Sequence, residues 1–277
     1  MNGVVLIIAG SDPSGGAGLQ ADIKTVTALG GYAAACATAL TVQNTTGVRA
    51  VHGVSPDIVR DQARAVIDDT PPAAIKIGML GDAAVVDAVA EIVAAAPDAP
   101  VVLDPVLVAT SGDALAAEGV VESIRTRLMP CAHVVTPNAD EAAALIGRPV
   151  STPRDLLDAG HALIAMGARA ALVKGGHLAG DQVTDVLLQE GAAPVAYRGP
   201  RLAGAPFHGT GCTLASAVAT GLAQGLTLQD AAARAVAFVR AAIAAAPPRG
   251  HGARSLNHAG LAPPFDQRAE GESADEL

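Results

Sequence analysis

The chain has 277 residues, about half of them apolar, with no tryptophan, two tyrosines and three phenylalanines. This length is enough for one large α/β domain, and the scarcity of aromatic residues favours helices packed on a sheet over a β-sandwich. The formal net charge of −9 argues against a general nucleic-acid binder and against binding to anionic membranes.

The three cysteines form no CxxC pair. An odd number without such pairs supports neither a disulfide framework nor a zinc site. The first apolar run, residues 4–9, is short and lacks a basic segment before it, so it predicts a strand and not a signal peptide. No apolar run reaches membrane length without interruption. We therefore expect a cytoplasmic protein that is not bound to a membrane.

Apolar runs alternate with helical patterns along the chain, which predicts a parallel sheet with helices on both faces. The last two strands are short, and we expect them to be antiparallel and to lie at the sheet edge. The predicted strands are residues 4–9, 32–42, 73–77, 100–103, 133–136, 170–174, 183–189 and 194–197. The predicted helices are residues 19–29, 56–69, 83–96, 112–129, 154–166, 211–224 and 228–246.

No linker-like stretch divides residues 1–248, so we predict a single domain there. Residues 249–277 are rich in proline, glycine, histidine and charged residues, and they contain few branched apolar residues. Such a composition cannot bury enough apolar surface to offset the entropy of ordering. It predicts a polar, disordered carboxyl-terminal tail.

A glycine-rich loop, residues 10–18, joins the first predicted strand to the first predicted helix, which is how mononucleotide sites begin. A P-loop would require Gly-Lys-Ser/Thr where GGA stands at 15–17. A dinucleotide fingerprint would require GxGxxG where GSD stands at 10–12. Neither named motif is present.

The stretch HGTGCT at residues 208–213 precedes an alanine-rich helix. Gly209 and Gly211, on either side of Thr210, let the backbone turn tightly and bring several N–H groups to one point. At a helix N-terminus such a turn is suited to a transferring phosphoryl group. The same field predicts a lowered thiol pKa for Cys212 in the first turn. Taken alone, the stretch is explained equally well as a plain loop followed by a small core residue.

Polar residues stand at the carboxyl ends of several predicted strands, where open α/β sheets bind ligands. They are Asp12, Gln43, Asp104, Asn138, Glu141 and Lys174. A cap or turn role explains each one separately, but phosphoryl transfer from a nucleotide explains the set. Asp104 and Glu141 are the candidate Mg²⁺ ligands, and Lys174 would offset phosphate charge. Gln43 has both donor and acceptor groups, so it could read the edge of a heteroaromatic ring.

Several stretches together resemble the hydroxymethylpyrimidine/phosphomethylpyrimidine kinases of thiamine biosynthesis, which belong to the ribokinase-like superfamily. The resemblance runs in family order from residue 9 to about residue 221. The stretches are residues 9–25, 39–45, 76–80, 103–106, 136–138 with Glu141, 173–177 and 208–213.

The resemblance implies an α/β fold, a ribokinase-like three-layer αβα sandwich with a mostly parallel central sheet. It implies that Mg²⁺ and ATP are used to phosphorylate 4-amino-5-hydroxymethyl-2-methylpyrimidine and then its monophosphate. Homodimers are usual in the family. By similarity, the pyrimidine would contact Gln43 and Asp22 in a pocket lined by Gly10, Met79 and Val106. By the same similarity, ATP would be held by Asn138, Lys174, Gly209 and Gly211. Magnesium would be held through water by Asp104 and Glu141. The residues implied in catalysis are Cys212, Gly211, Thr210, Gly209 and Lys174.

Sugar kinases of this superfamily carry an aspartate, the general base, where Cys212 stands. The cysteine therefore favours the pyrimidine kinases over the sugar kinases and leaves the identity of a base open. Thr110 lies where some relatives carry lysine. Two other functions are compatible with the pattern. One is a pyridoxine or pyridoxal kinase, and the other is a relative that binds the pyrimidine without turning it over.

Overall fold

The computed structural model describes residues 3–109, 112, 113, 115–204 and 206–261. The strands of the main sheet are β1 Val4–Ser11, β2 Tyr32–Asn44, β3 Gly47–Gly53, β4 Ala74–Ile77, β5 Val101–Leu103, β6 Val134–Val135, β7 Ala170–Val173, β8 Gln182–Gln189 and β9 Val195–Pro200. A separate pair consists of β10 Phe207–His208 and β11 Arg254–Ser255. The helices are α1 Gly18–Ala28, α2 Pro56–Asp69, α3 Ala83–Ala95, α4 Val120–Ser123, α5 Ala139–Ile146, α6 Pro153–Ala165, α7 Thr210–Ala223 and α8 Leu228–Ala244.

Within the described residues, the main sheet has nine strands in the order β3-β2-β1-β4-β5-β6-β7-β8-β9. Neighbours from β2 to β7 run parallel, whereas β3, β8 and β9 pair antiparallel with their neighbours. The prediction of a mostly parallel sheet with antiparallel strands at one edge is therefore confirmed. Because parallel strands end at the same edge, their carboxyl-terminal residues meet there.

Two buried cores flank the sheet, which makes the fold a three-layer αβα sandwich. Along β1, Leu6 and Ile8 face the core formed with α2, α3, α5 and α6, whereas Val5 and Ile7 face the core formed with α1, α7 and α8. Successive strand residues point to opposite faces, so a strand buried on both faces must be apolar throughout. This explains the continuous apolar runs in the sequence.

Strand β3 was not predicted from the sequence. It forms an antiparallel hairpin with β2, in which Leu40 pairs with His52 and Val42 pairs with Ala50. Most of its residues are exposed or half-buried. An exposed strand needs no apolar run, so the hydrophobic pattern on which the other predictions depend is missing here.

The predicted helix over residues 112–129 is wrong in its first part. Helix α4 begins only at Val120, after Gly119 in a left-handed conformation, and continues through a π-helical turn to Leu128. Before it, the amides of Leu115 and Ala117 donate to the carbonyls of Leu107 and Gly81 instead of to a helix. Residues 110, 111 and 114, and with them the comparison at Thr110, lie outside the described part of the chain.

The prediction of a disordered tail from residue 249 is wrong for residues 249–261. The amide of Ala253 donates to the Thr45 carbonyl at 2.9 Å, and β11 pairs in parallel with β10. The side chain of His258 is buried, with its Nε2 2.9 Å from Thr213 Oγ1 in α7. These contacts are made largely by backbone and single polar side chains, so they leave no periodic signal in the sequence. Residues 262–277 lie outside the described part.

His258 makes the stability of the fold depend on pH. Burial, reinforced by the charge of Lys24, lowers the pKa of His258 from 6.5 to about 4. Between these values the unfolded chain binds a proton that the native state does not, so stability falls as the pH falls. We expect the free energy of unfolding to drop by on the order of 2 kcal/mol more in the wild type than in His258→Gln between pH 7 and pH 5. Urea titrations of both proteins measure this difference, and parallel pH profiles would contradict it.

Candidate active site

A cavity of about 940 Å³ lies at the carboxyl ends of the parallel strands. It is bounded by the glycine-rich loop, the start of α7 and the inner side of α8. The predicted site residues that border it are Gly10, Gln43, Met79, Asp104, Val106, Asn138, Glu141, Lys174, Gly209, Thr210, Gly211 and Cys212. A second cavity, of about 860 Å³, is bordered by residues such as Val101 and Arg169 and contains none of these residues.

The turn before α7 is packed directly against the glycine-rich loop. Gly209 has φ +83°, and a Cβ added there would lie 1.9 Å from the carbonyl oxygen of Gly16. Only glycine fits such a position. No described side chain caps the N-terminus of α7, and its first turn contains no acidic residue. The helix therefore directs uncompensated N–H groups and a partial positive charge into the cavity, as the anion-site interpretation of the sequence requires.

Lys174 and Asp104 form a buried ion pair beside this turn. The Lys174 ammonium donates to Asp104 Oδ1 at 2.8 Å, and the Thr136 hydroxyl donates to the same oxygen at 3.1 Å. A Cβ added at Gly211 would lie 2.8 Å from Lys174 Nζ and 3.6 Å from Asp104 Oδ2. Burial alone would lower the pKa of Lys174, but the charges of Asp104 and Glu141 outweigh it and raise the pKa. The lysine is therefore a permanent cation at the helix N-terminus.

Glu141 lies on the other side of Lys174. Its Oε2 is 3.8 Å from the ammonium and also accepts from the Asn138 amide at 2.8 Å, while Asn138 Oδ1 caps α5 by accepting from the Glu141 amide at 2.9 Å. Asn138 thus caps the N-terminus of α5, which is the structural role that the sequence also allowed, and it borders the cavity as well. Burial raises the pKa of Glu141 to about 7, against the opposing charge of Lys174.

The oxygens around Lys174 suit a hydrated Mg²⁺. Asp104 Oδ2 is buried and has no hydrogen-bond partner among the described residues. A buried carboxylate oxygen without a partner is costly, and a hard cation or its water would satisfy it. No group of three or more His, Cys, Asp or Glu residues in the described chain could enclose a metal. Magnesium commonly keeps several waters and needs only one or two carboxylates, so the pair Asp104 and Glu141 fits it.

Asp22 is the predicted site residue that the structure does not bring to the cavity wall. Its carboxylate is fully buried in α1 and accepts from Lys76 Nζ at 2.7 Å and from the Ser216 hydroxyl at 2.7 Å. Lys76, which borders the cavity, is one of the residues that sequence reasoning missed. The signal was a single lysine inside an otherwise apolar strand. Burial opposes the charge on Lys76, but Asp22 outweighs it and raises the pKa of the lysine.

The prediction of a lowered thiol pKa for Cys212 is wrong. Burial raises the pKa of Cys212 to about 12, and this outweighs the opposing charge of Lys76. The carboxylates of Asp22 and Asp104 lie close enough to add to the increase. The causes that raise the thiol pKa therefore outweigh the charge of Lys76 and the hydrogen bond from the Gly18 amide, which lower it. Cys212 is a neutral thiol at physiological pH.

A hydrogen-bonded cluster forms the opposite wall. Asp12 accepts from the amides of Gly16 and Ala17 and from His208, and Gln43 lies against both Thr41 and His208. Burial works to raise the pKa of Asp12, but the hydrogen bonds, led by that from His208, lower it to about 2. His208 is the first residue of the HGTGCT stretch, but the sequence did not predict it as a site residue.

These features define the class of the protein. An αβα sandwich whose glycine turn opens a helix beside a lysine and two carboxylates, at the carboxyl ends of parallel strands, is the arrangement of a ribokinase-like kinase. The family model described as phosphomethylpyrimidine kinase matches residues 12–257. The chain belongs to this family.

Individual relatives agree with this assignment. The hydroxymethylpyrimidine/phosphomethylpyrimidine kinase of Streptomyces coelicolor is 49% identical over 255 residues, which cover 92% of this chain and 94% of that protein. The crystal structure of phosphomethylpyrimidine kinase from Clostridium difficile superimposes with a TM-score of 0.77 at 35% identity, covering 87% of this chain and 99% of that one. The pyridoxal kinase of Staphylococcus aureus, in complex with AMP-PCP and pyridoxal, gives a TM-score of 0.87 at 31% identity and covers 95% of both chains. No described helix is long and apolar enough to cross a membrane.

Proposed function

We propose that this protein uses ATP to phosphorylate 4-amino-5-hydroxymethyl-2-methylpyrimidine and then phosphorylates the monophosphate to the pyrophosphate. The observation that carries the proposal is that one cavity has an uncapped helix N-terminus with Lys174 on one wall and the Gln43 carboxamide on the other. A phosphoryl donor and a heteroaromatic alcohol can therefore meet in it. The names of the relatives supply the identity of the alcohol.

On the donor side, the amides of the turn and the Lys174 ammonium would bind the γ-phosphate, whose charge spreads over its outer oxygens during transfer. The apolar side chains of Val183, Val239 and Ile243 line the part of the cavity next to α8 and would accommodate the base of the nucleotide. Mg²⁺, held by Asp104 and Glu141 through water, would neutralise phosphate charge when bound. These residues would position the nucleotide and neutralise its phosphate charge, and none of them would form a covalent bond with it.

On the acceptor side, Gln43 would bind the pyrimidine edge, with Gly10, Met79 and Val106 enclosing the ring. The bond from the hydroxymethyl oxygen to the γ-phosphorus forms as the bond from that phosphorus to the bridging oxygen of ADP breaks. Because Cys212 is a neutral thiol, we propose that it shapes the turn and does not remove the hydroxyl proton. A loose transition state demands little from a base, and the hydroxyl proton would pass to water or to an oxygen of the transferred phosphoryl group.

A coupled ATP-consumption assay with the hydroxymethylpyrimidine, its monophosphate and pyridoxine in parallel tests the function. We expect turnover with both pyrimidines. A kcat/KM for pyridoxine about tenfold above that for the pyrimidine would make the protein a pyridoxine kinase instead, a difference of only about 1.4 kcal/mol in transition-state binding. Binding of the pyrimidine without ATP consumption would make it a non-catalytic relative.

We also propose a cytoplasmic homodimer. Leu40 and Val42 lie on the same face of β2 and are 55% and 47% exposed. Isolated apolar side chains on a surface need no explanation, but two adjacent ones on an edge hairpin suit contact with a second copy of the same surface. Sedimentation velocity at micromolar concentration measures the mass directly, and a monomer throughout would contradict the proposal.

A further inference from the structure

His208 occupies a position that none of the roles above uses. Its side chain is 8% exposed. Its Nε2 is 2.9 Å from Asp12 Oδ2 and 3.0 Å from the terminal amide group of Gln43. One ring nitrogen therefore faces two partners, and at most one proton is available on it.

Asp12 determines where that proton is. Its carboxylate already accepts from the Ser14 hydroxyl and from the amides of Gly16 and Ala17. With a pKa of about 2 it has no proton to donate at neutral pH. The hydrogen bond between Asp12 and His208 must therefore use a proton on Nε2, whether the imidazole is neutral or charged.

The orientation of Gln43 follows from this proton. A protonated Nε2 can face only an acceptor, so the Gln43 atom beside it must be Oε1. On the other side, the Thr41 hydroxyl donates its proton to the Ser11 carbonyl at 2.9 Å. Thr41 Oγ1, 3.2 Å from the Gln43 carboxamide, can then only accept, which requires the NH₂ group there. Both neighbours therefore require the same orientation, with Oε1 beside His208 and the NH₂ group beside Thr41. In the opposite orientation, the NH₂ group of Gln43 would face the N–H of His208, and two donors would meet.

We propose that His208 is a positioning residue that holds the Gln43 carboxamide with its oxygen toward the imidazole and one N–H toward the cavity. This N–H selects acceptors that present a lone pair at that point, such as a pyridine-type ring nitrogen of an aminopyrimidine. The proposal deepens the acceptor side of the proposed function and rests on it.

The surroundings of His208 give it the rigidity that this role needs. His208 is the last residue of β10 and pairs with Ser255 of β11. A Cβ added at Gly16 would lie 2.5 Å from Cδ2 of the imidazole and 2.6 Å from Ser255 Oγ. The ring therefore lies directly on the backbone of the glycine-rich loop, which limits its movement on that side.

Steady-state kinetics of His208→Met and His208→Gln test the proposal. Methionine removes the donor, and we expect the KM for the pyrimidine to rise by about tenfold or more while the KM for ATP changes by less than about twofold. Glutamine supplies an N–H near the position of Nε2, so it should restore most of the pyrimidine KM. His161→Met, at an exposed position on α6, is the matched control. Equal effects on both KM values, or no rescue by glutamine, would overturn the proposal.

The protonation of the ring gives a readout that does not depend on turnover. Nitrogen-15 NMR of histidine-labelled protein should show His208 Nε2 protonated, and an unprotonated Nε2 would overturn the proposal. If the wild type failed to turn over any pyrimidine, the proposed function would fall, but this NMR result would still decide the position of the proton. A change of melting temperature in His208→Met without a change in pyrimidine KM would leave His208 a purely structural residue and overturn the positioning role.

Discussion

Lys174→Ala is expected to lower kcat/KM on the order of 10²-fold or more, chiefly through kcat. The ammonium lies 2.8 Å from Asp104 Oδ1 and 3.8 Å from Glu141 Oε2 at the opening of α7. Its removal leaves the two carboxylates facing an incoming polyphosphate without the ammonium that now pairs with them. Charge that develops on the transferring group would then meet repulsion where it now meets attraction.

Lys174→Met separates the charge from the packing, because it keeps most of the side-chain volume. We expect it to be as inactive as the alanine variant. Arg127→Ala is the matched control, since Arg127 pairs with Asp87 at 3.0 Å on the surface, and exposed pairs contribute little. Steady-state kinetics and melting curves of the folded variants separate catalysis from stability. Near-normal turnover of Lys174→Met would show that the charge of Lys174 is not needed for catalysis.

Gly211→Val should cost about as much as loss of the lysine, on the order of 10²-fold in kcat/KM. Even the first added carbon would lie 2.8 Å from Lys174 Nζ. The ammonium would have to shift from its place beside Asp104, and the added methyl groups would fill the space that a phosphoryl oxygen needs. Gly53→Ala is the matched control, because nothing lies within 4 Å of a Cβ added at Gly53.

Cys212→Ser should cost less, within about tenfold, because a neutral thiol and a hydroxyl are similar in size and hydrogen bonding. The comparison of Gly211→Val with Cys212→Ser separates the contribution of the backbone turn to catalysis from that of the sulfur. The opposite ranking, with Cys212→Ser the more damaging, would identify Cys212 as the base despite its raised pKa. Activity of both variants is measured with the pyrimidine at saturating ATP.

Much of the fold, and the meeting of the polar residues at strand ends in one site, could be predicted from the sequence, because each depends on local patterns. A strand buried on two faces must be apolar throughout, and a parallel sheet gathers its carboxyl ends at one edge. Polar residues at those ends, such as Asp104 and Lys174, could therefore be assigned to one site without coordinates. The exposed strand β3 had no such pattern and was missed.

The carboxyl-terminal segment shows the limit of composition. Residues 249–261 contain little apolar surface, yet their backbone pairs with β10 and with Thr45. Such contacts depend on where distant parts of the chain arrive, and a pattern within the segment does not encode them. The misplacement of Asp22 has the same origin, because its partner Lys76 is distant in sequence and adjacent only across α1 and β4.

The sequence by itself determined the layers, the glycine turn and the list of polar residues at strand ends, because hydrophobic periodicity and glycine placement act over a few residues. Only the tertiary structure decided the ionisation of Cys212, the burial of Asp22 against Lys76 and the contact of His208 with Gln43. These depend on desolvation and on hydrogen bonds between elements far apart in the chain, and both arise only once the elements are packed together.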